Sequence, residues 1–157
     1  MSALKRRTVS EKEALARLEE LCARAEHCTG EIRERLWKWG ISSDIQEKII
    51  DSLIDRRFVD DTRFARAFVN DKFRFARWGR RKIAYALAAK RIDREIIRDS
   101  IAEIDEETYL GNLQDLIEAK AKSIGNGTYE QREKILRFIV GRGYEPSLAS
   151  DTIRKIT

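Results

Sequence analysis

The side chains best equipped for chemistry in this 157-residue chain stand close together, as Cys22, His27 and Cys28. Two thiols and an imidazole could begin a soft-metal site, but a closed zinc site needs a fourth ligand. The sequence holds only those two cysteines and that one histidine. Their positions on a helix and a turn predict small buried thiols and no metal. There is no GxxxxGK phosphate loop, no GxSxG elbow and no HExxH pair. Carboxylates are plentiful but fall in helical surface rows, where solvated ion pairing is their usual work. Neither a catalytic residue nor a cofactor is expected.

What the chain has instead is a basic stripe. Between Phe58 and Ala89 the sequence reads FVDDTRFARAFVNDKFRFARWGRRKIAYALAA. At about 100° per residue, Phe64, Ala65, Phe68, Lys72, Phe75 and Ala76 gather on one side and Arg63, Arg66, Asn70, Arg74 and Arg77 on the other. This is an amphipathic helix with an arginine back. Asp60 or Asp61 can cap it, and Gly79 interrupts the run before a second helix opens on Arg80-Arg81-Lys82. From Lys72 to Arg98 ten basic residues, Lys90 and Arg91 among them, face only Asp93 and Glu95, a balance of +8; from Asp105 to Glu133 the balance is −4. The total of +5 hides this polarity. Such a segment should attract a polyanion or an acidic groove through a salt-sensitive field. Phe73 at the stripe's edge and Tyr85 beside Arg81 and Lys82 could add stacking, although core packing is the ordinary role of each. Trp37, Trp39 and Trp78 are expected as anchors in the core or between units.

The elements that must present these residues are all helical. With 42% apolar and 38% charged residues and a mean hydropathy of -0.54, the chain can bury a modest core. No run approaches the roughly 20 apolar residues of a membrane span. The N-terminus lacks the apolar region of a signal peptide, so a reducing cytoplasm is expected. Start signals recur at Ser10 with Glu13, Thr29-Gly30, Ser43 with Gln46, Asp93, Thr128 with Gln131, and Pro146. No strand pattern survives.

The apolar columns also repeat. Adding 51 moves Ile32, Leu36, Ile41, Ile45, Ile50 and Leu53 onto Ile83, Leu87, Ile92, Ile96, Ile101 and Ile104; a further 52 gives Ile135, Ile139, Tyr144, Leu148, Ile153 and Ile156. One constant offset over six columns predicts three copies of a three-helix unit, because each copy must aim the same faces inward. The expected organisation is a flexible basic tail over 1–9 and repeats over 10–58, 59–105 and 106–157, in an elongated or curved all-α array. Each unit alone has little core, so neighbours should share apolar surface.

The run Phe58-Val59-Asp60-Asp61-Thr62-Arg63-Phe64-Ala65, then Trp78-Gly79-Arg80-Arg81-Lys82-Ile83 with Leu87, and the distal Arg137-Phe138-Ile139-Val140-Gly141-Arg142-Gly143-Tyr144 resemble the RecX regulatory family. The resemblance implies a modular monomer that takes part in DNA recombination and repair. It implies binding of the RecA recombinase, lodging in the groove of the RecA filament on DNA, and lowered ATPase and strand exchange without chemistry of its own. It implies that Asp60, Asp61, Phe64, Ala65, Gly79 and Ile83 define the fold. Arg63, Arg66, Arg74, Arg77, Arg80, Arg81, Lys82, Lys90 and Arg91 are then the candidates for contact with filament or DNA backbone. The first helix of the third unit, Glu106 to Ile124, matches that pattern weakly.

A direct DNA-binding protein is the alternative, since tandem three-helix units are similar to helix-turn-helix packing. Its third helices, such as Ser43 to Arg56, carry aliphatic residues and ordinary charges rather than base-reading side chains.

Overall fold

The computed structural model describes residues 9–156; the expected tail falls outside them except for Val9, which is not a tail residue. Val9 packs into the first core beside Ala14 and Leu18, because an apolar side chain next to a capped helix start is better buried than solvated.

Among the described residues the secondary structure is nine helices and no strand: α1 (Glu11–Arg24), α2 (Thr29–Lys38), α3 (Ser43–Asp55), α4 (Asp61–Arg74), α5 (Arg80–Ala89), α6 (Arg94–Ala102), α7 (Glu106–Ile124), α8 (Tyr129–Gly141) and α9 (Pro146–Ile156). The most extensive helix contacts lie within α1–α3, α4–α6 and α7–α9. None of the eighteen repeated apolar positions is exposed.

The second helix of each triplet ends in the same way, and two of the repeat columns are the reason. In α2 the Ile41 N–H reaches back to the Leu36 carbonyl and Gly40 N–H to Trp37; in α5 Ile92 reaches Leu87 and Arg91 reaches Ala88; in α8 Tyr144 reaches Ile139 and Gly143 reaches Val140. This paired closure requires a left-handed residue after the cap and joins two apolar side chains across the turn. Gly40 has φ 74°, Arg91 φ 61° and Gly143 φ 97°. Arg91 is the exception to glycine there, at a cost of roughly 1 kcal/mol.

Sequence signals at the helix starts hold with two shifts. Ser10, Asp93 and Thr128 accept backbone N–H groups as expected, from Glu13, Glu95 and Gln131 respectively. α2 is capped one residue earlier than Thr29-Gly30 suggests, at Cys28, whose N–H donates to Glu31. α3 is capped at Ser42 rather than Ser43, and Gln46 instead donates to the Ile41 carbonyl at 2.7 Å.

Two hydrophobic cores result. The first is enclosed by α1–α3 and includes Leu18, Ile32, Leu36, Ile49 and Leu53. The second runs through both remaining triplets, from Phe64 and Ile83 to Tyr109, Ile139 and Ile153, and takes Cys28 from the first triplet. Apolar surface is thus shared fully between the second and third triplets and scarcely between the first and second. Sharing also widens the buried arc of α4, which runs through Phe64, Ala65, Val69 and Phe73. Phe73 is core, not a stacking platform at the edge of the stripe. Phe75 was expected on the buried side, but α4 ends at Arg74 and leaves it 80% exposed.

Candidate nucleic-acid interface

The basic segment is presented by a joint between α5 and the third triplet. Gly79 gives α5 no side-chain cap, so its first N–H groups must find acceptors elsewhere. The Gly79 N–H donates to the Arg142 carbonyl (2.8 Å) and Arg81 N–H to the Gly143 carbonyl (3.0 Å). Arg80 N–H donates to the Tyr109 hydroxyl (3.1 Å). The N-terminal dipole of α5 therefore meets the C-terminal carbonyls of α8, a favourable pairing of opposite ends. Such an approach is possible only without side chains. A Cβ on Gly79 would stand 2.2 Å from the Gly143 carbonyl carbon.

The linker that carries the charge, residues 75–79, is tied down from the same side. Asn112 donates to the Phe73 carbonyl, Arg142 to Ala76 and the Tyr144 hydroxyl to Arg77, at 3.4, 2.7 and 2.8 Å. Arg77 sits at φ 54°, and this aims its carbonyl at Tyr144. Tyr109 and Tyr144 are fully buried with ring centroids 5.1 Å apart. Burial pushes the Tyr144 hydroxyl up to about 12. It raises Tyr109 as well, with a further push from the hydrogen bond to Glu145.

The same joint consumes one of the candidate cations. Arg80 pairs with Glu145 at 2.9 Å, pairs also with Glu106, and lies 3.8 Å over the Tyr109 ring. Burial pulls its pKa down, but the bonds and charge of Glu145 and the bond to Glu106 outweigh this, and it stands above the ordinary value. Arg80 is a clamp between triplets rather than a free contact residue.

The remaining candidates divide by partner. Arg63 pairs with Glu26 (2.7 Å), Arg66 with Glu103 (2.9 Å), Arg77 with Asp115 (4.0 Å) and Lys90 with Glu31 (3.3 Å). Arg74, Arg81 and Arg91 are exposed, and among the described residues their side chains have no partner. Lys82 Nζ lies 4.4 Å over the Trp78 ring, and Lys72, absent from the sequence-based candidates, lies 4.9 Å from the same ring. Trp78 is thus half-buried between two ammonium groups, as an anchor in the second core. Tyr85, 81% exposed, stands on α5 among the unpaired cations. Trp39 is partly buried under Arg17, whereas Trp37 is no core anchor, being 66% exposed.

The aspartate pair has a division of labour that a single-helix reading leaves open. Asp60 accepts from the Arg63 N–H of its own α4 at 3.0 Å. Asp61 reaches back to the first triplet and accepts from the Thr29 N–H (2.8 Å) and hydroxyl (2.7 Å) at the start of α2. Asp105 and Glu106 repeat this, one capping Thr108 and the other meeting Arg80 at the start of α5. Asp61→Ala should lower the unfolding free energy by about 1–2 kcal/mol, since it removes a cap and a hydroxyl partner together. Urea denaturation followed by circular dichroism would measure this.

Phe64, Ala65 and Ile83 are buried. Cys28 is buried and Cys22 partly so; burial pushes the Cys28 thiol up to about 11, which leaves it protonated and unreactive at neutral pH. His27 Nδ1 lies 3.8 Å from Glu31. No group of three or more metal-ligating side chains occurs among the described residues, and no described helix is long and apolar enough to cross a membrane.

A family model described as RecX, second three-helix domain, matches residues 60–101. The regulatory protein RecX of Mycolicibacterium smegmatis is 30% identical over 128 residues, covering 78% of this chain and 68% of that protein. RecX of Lactobacillus johnsonii is 30% identical over 119 residues, covering 75% of this chain and 44% of that protein. The chain spans 44% to 60% of the length of the first relatives it matches. The crystal structure of RecX from Lactobacillus salivarius has the same fold, with a TM-score of 0.84 at 19% identity over 93% of this chain and 96% of that one.

Proposed function

Because the chain belongs to the RecX family of regulatory proteins, we propose that it is a non-enzymatic regulator that binds the RecA filament on DNA in the cytoplasm and lowers RecA ATPase and strand exchange. It acts as a monomer whose three three-helix units, over 10–58, 59–105 and 106–157, lie along the filament groove. The observation that carries this reading is the set of unspent cations in the second triplet. Arg81 and Lys82 lie in the first turn of α5 and Arg74 at the end of α4, and the third triplet holds the backbone at both places, so their charge is positioned before binding and little ordering entropy is lost. Arg63, Arg66, Arg77 and Lys90 are paired internally and contribute to the field more than to direct contact. Several weak contacts on linked units add through effective concentration, which favours filament over free protomer.

Changing Arg74, Arg81 and Lys82 together to Glu should weaken filament binding by about tenfold or more at low salt, with a shallower dependence on salt. Arg74 and Arg81 are exposed, and Lys82 gives up only its contact with the Trp78 ring, so the thermal midpoint should fall by a few degrees at most. Inhibition of RecA ATPase, titrated with wild-type and altered protein, is the measurement, and unchanged inhibition would remove this face from the proposal. Direct reading of duplex DNA is the less favoured alternative, because α3, α6 and α9 spend their aliphatic columns on the cores.

A further inference from the structure

A groove of about 580 Å³ lies where α2 and the start of α3 meet the end of α5, with Gly30, Trp37, Ser43, Gln46, Ala89 and Arg91 in its lining. Most of its charge is already neutralised. Glu31 holds Lys90 at 3.3 Å, Glu47 holds Arg33 at 2.8 Å and Glu34 holds Lys38 at 3.2 Å. Two features are left over: an indole 66% exposed and the guanidinium of Arg91, which has no partner among the described residues. An exposed aromatic ring and an unspent cation in one groove suit a flat neutral ring joined to one negatively charged group.

Arg91 is also held where its backbone is strained. The repeat places it at the position of Gly40 and Gly143, and it adopts the same left-handed conformation, φ 61°. Room for it comes from the other partner of the joint, since a Cβ on Gly30 would stand 2.2 Å from the Lys90 carbonyl oxygen. Glycine would be the more stable residue at position 91. Arg57 and Arg77 share this conformation, but Arg91 differs from Arg77 in having no internal partner, so its side chain is left for a partner outside the fold.

We propose that this groove is a nucleotide subsite for single-stranded DNA, in which a base stacks on Trp37 and the adjoining phosphate pairs with Arg91. Bases in a duplex are covered by their neighbours, whereas an unpaired strand offers a free face to an aromatic platform and a phosphate to arginine. This rests on the reading that the protein works on a DNA-bound filament, and it places a strand contact where the first triplet meets the C-terminal end of α5, away from the basic start of that helix.

The test titrates a short oligothymidylate, without recombinase, into wild-type protein and into Trp37→Phe, Trp37→Ala and Arg91→Gly variants. Trp37 is one of three tryptophans, so quenching present in wild type and lost in Trp37→Phe reports the site itself. Trp37→Ala should weaken binding by about 5- to 100-fold. Arg91→Gly should weaken it and reduce the slope of log affinity against log salt by about 0.7. It should also raise the thermal midpoint by about 2–4 °C, an opposite movement of stability and affinity that a merely structural arginine would not give. Unaltered oligonucleotide binding by Trp37→Ala, or an unchanged salt slope in Arg91→Gly, would overturn the proposal. So would loss of filament inhibition in Trp37→Ala with its strand binding intact, since the groove would then take a protein segment. Quenching by the strand in a protein that fails to inhibit RecA would sink the filament reading and leave the subsite standing.

Discussion

Gly143→Ala is expected to lower the free energy of unfolding by about 3–5 kcal/mol, whereas Gly141→Ala, two residues earlier, should be neutral or add up to about 0.5–1 kcal/mol of stability. Both changes add one methyl group to the end of α8. At Gly143 the backbone is left-handed, and the new Cβ would lie 2.3 Å from Lys82 Cβ and 2.7 Å from Lys82 N. Neither neighbour is the free end of a side chain, so α5 itself must move. Moving it stretches the bonds from Gly79 to Arg142 and from Arg81 to Gly143 and opens the core shared by the second and third triplets. At Gly141 a Cβ meets nothing within 4 Å, and alanine is the better helix former. Urea unfolding of both variants, followed by circular dichroism, makes the comparison. A Gly143→Ala loss below about 1 kcal/mol would show that the joint accommodates side chains, against the geometry above.

Arg80→Ala should cost about 2–4 kcal/mol, while Arg81→Ala, its neighbour in sequence, should stay within about 0.5 kcal/mol of wild type. The Arg80 side chain is 24% exposed and the Glu145 side chain 33%, so removing the guanidinium leaves the Glu145 carboxylate in a half-buried site with the Tyr109 hydroxyl as its remaining donor and deletes the contact on the Tyr109 ring. The Glu106 arm, 64% exposed, contributes least because water screens it. Arg80→Lys should recover less than half of the loss, since an ammonium cannot span both carboxylates while lying on the ring. Arg80→Ala combined with Glu145→Ala should destabilise by less than the sum of the single changes, because the stranded charge is gone. Equal effects of Arg80→Ala and Arg81→Ala in thermal unfolding would contradict the clamp. For function the pair should reverse, with Arg81 affecting filament inhibition and Arg80→Lys leaving it nearly intact in folded protein.

Local sequence does not separate the bound cations of this surface from the free ones. Nine cations share similar helical spacing and composition, yet only Arg74, Arg81, Lys82 and Arg91 escape carboxylate partners among the described residues. Arg63 meets Glu26 and Arg66 meets Glu103 across 37 residues of sequence. No local window can contain such a pair. The aromatic residues behave likewise. Phe73 is buried because a second triplet covers its side of α4, and Trp37 is exposed because no triplet covers that side of α2. Gly79 reads locally as a break between helices, whereas its role is to let two backbones touch.

The sequence alone determined the helical class, the positions of most helix starts and the recurring apolar columns. These follow from periods of a few residues, capping chemistry beside the helix, and a constant offset between copies. Tertiary structure alone decided that two triplets merge into one core while the other keeps its own, and which arginines are bound inside and which remain for a partner. Both outcomes depend on contacts between residues far apart in the chain, and their energies are set by distance and burial in space rather than by spacing along the polypeptide.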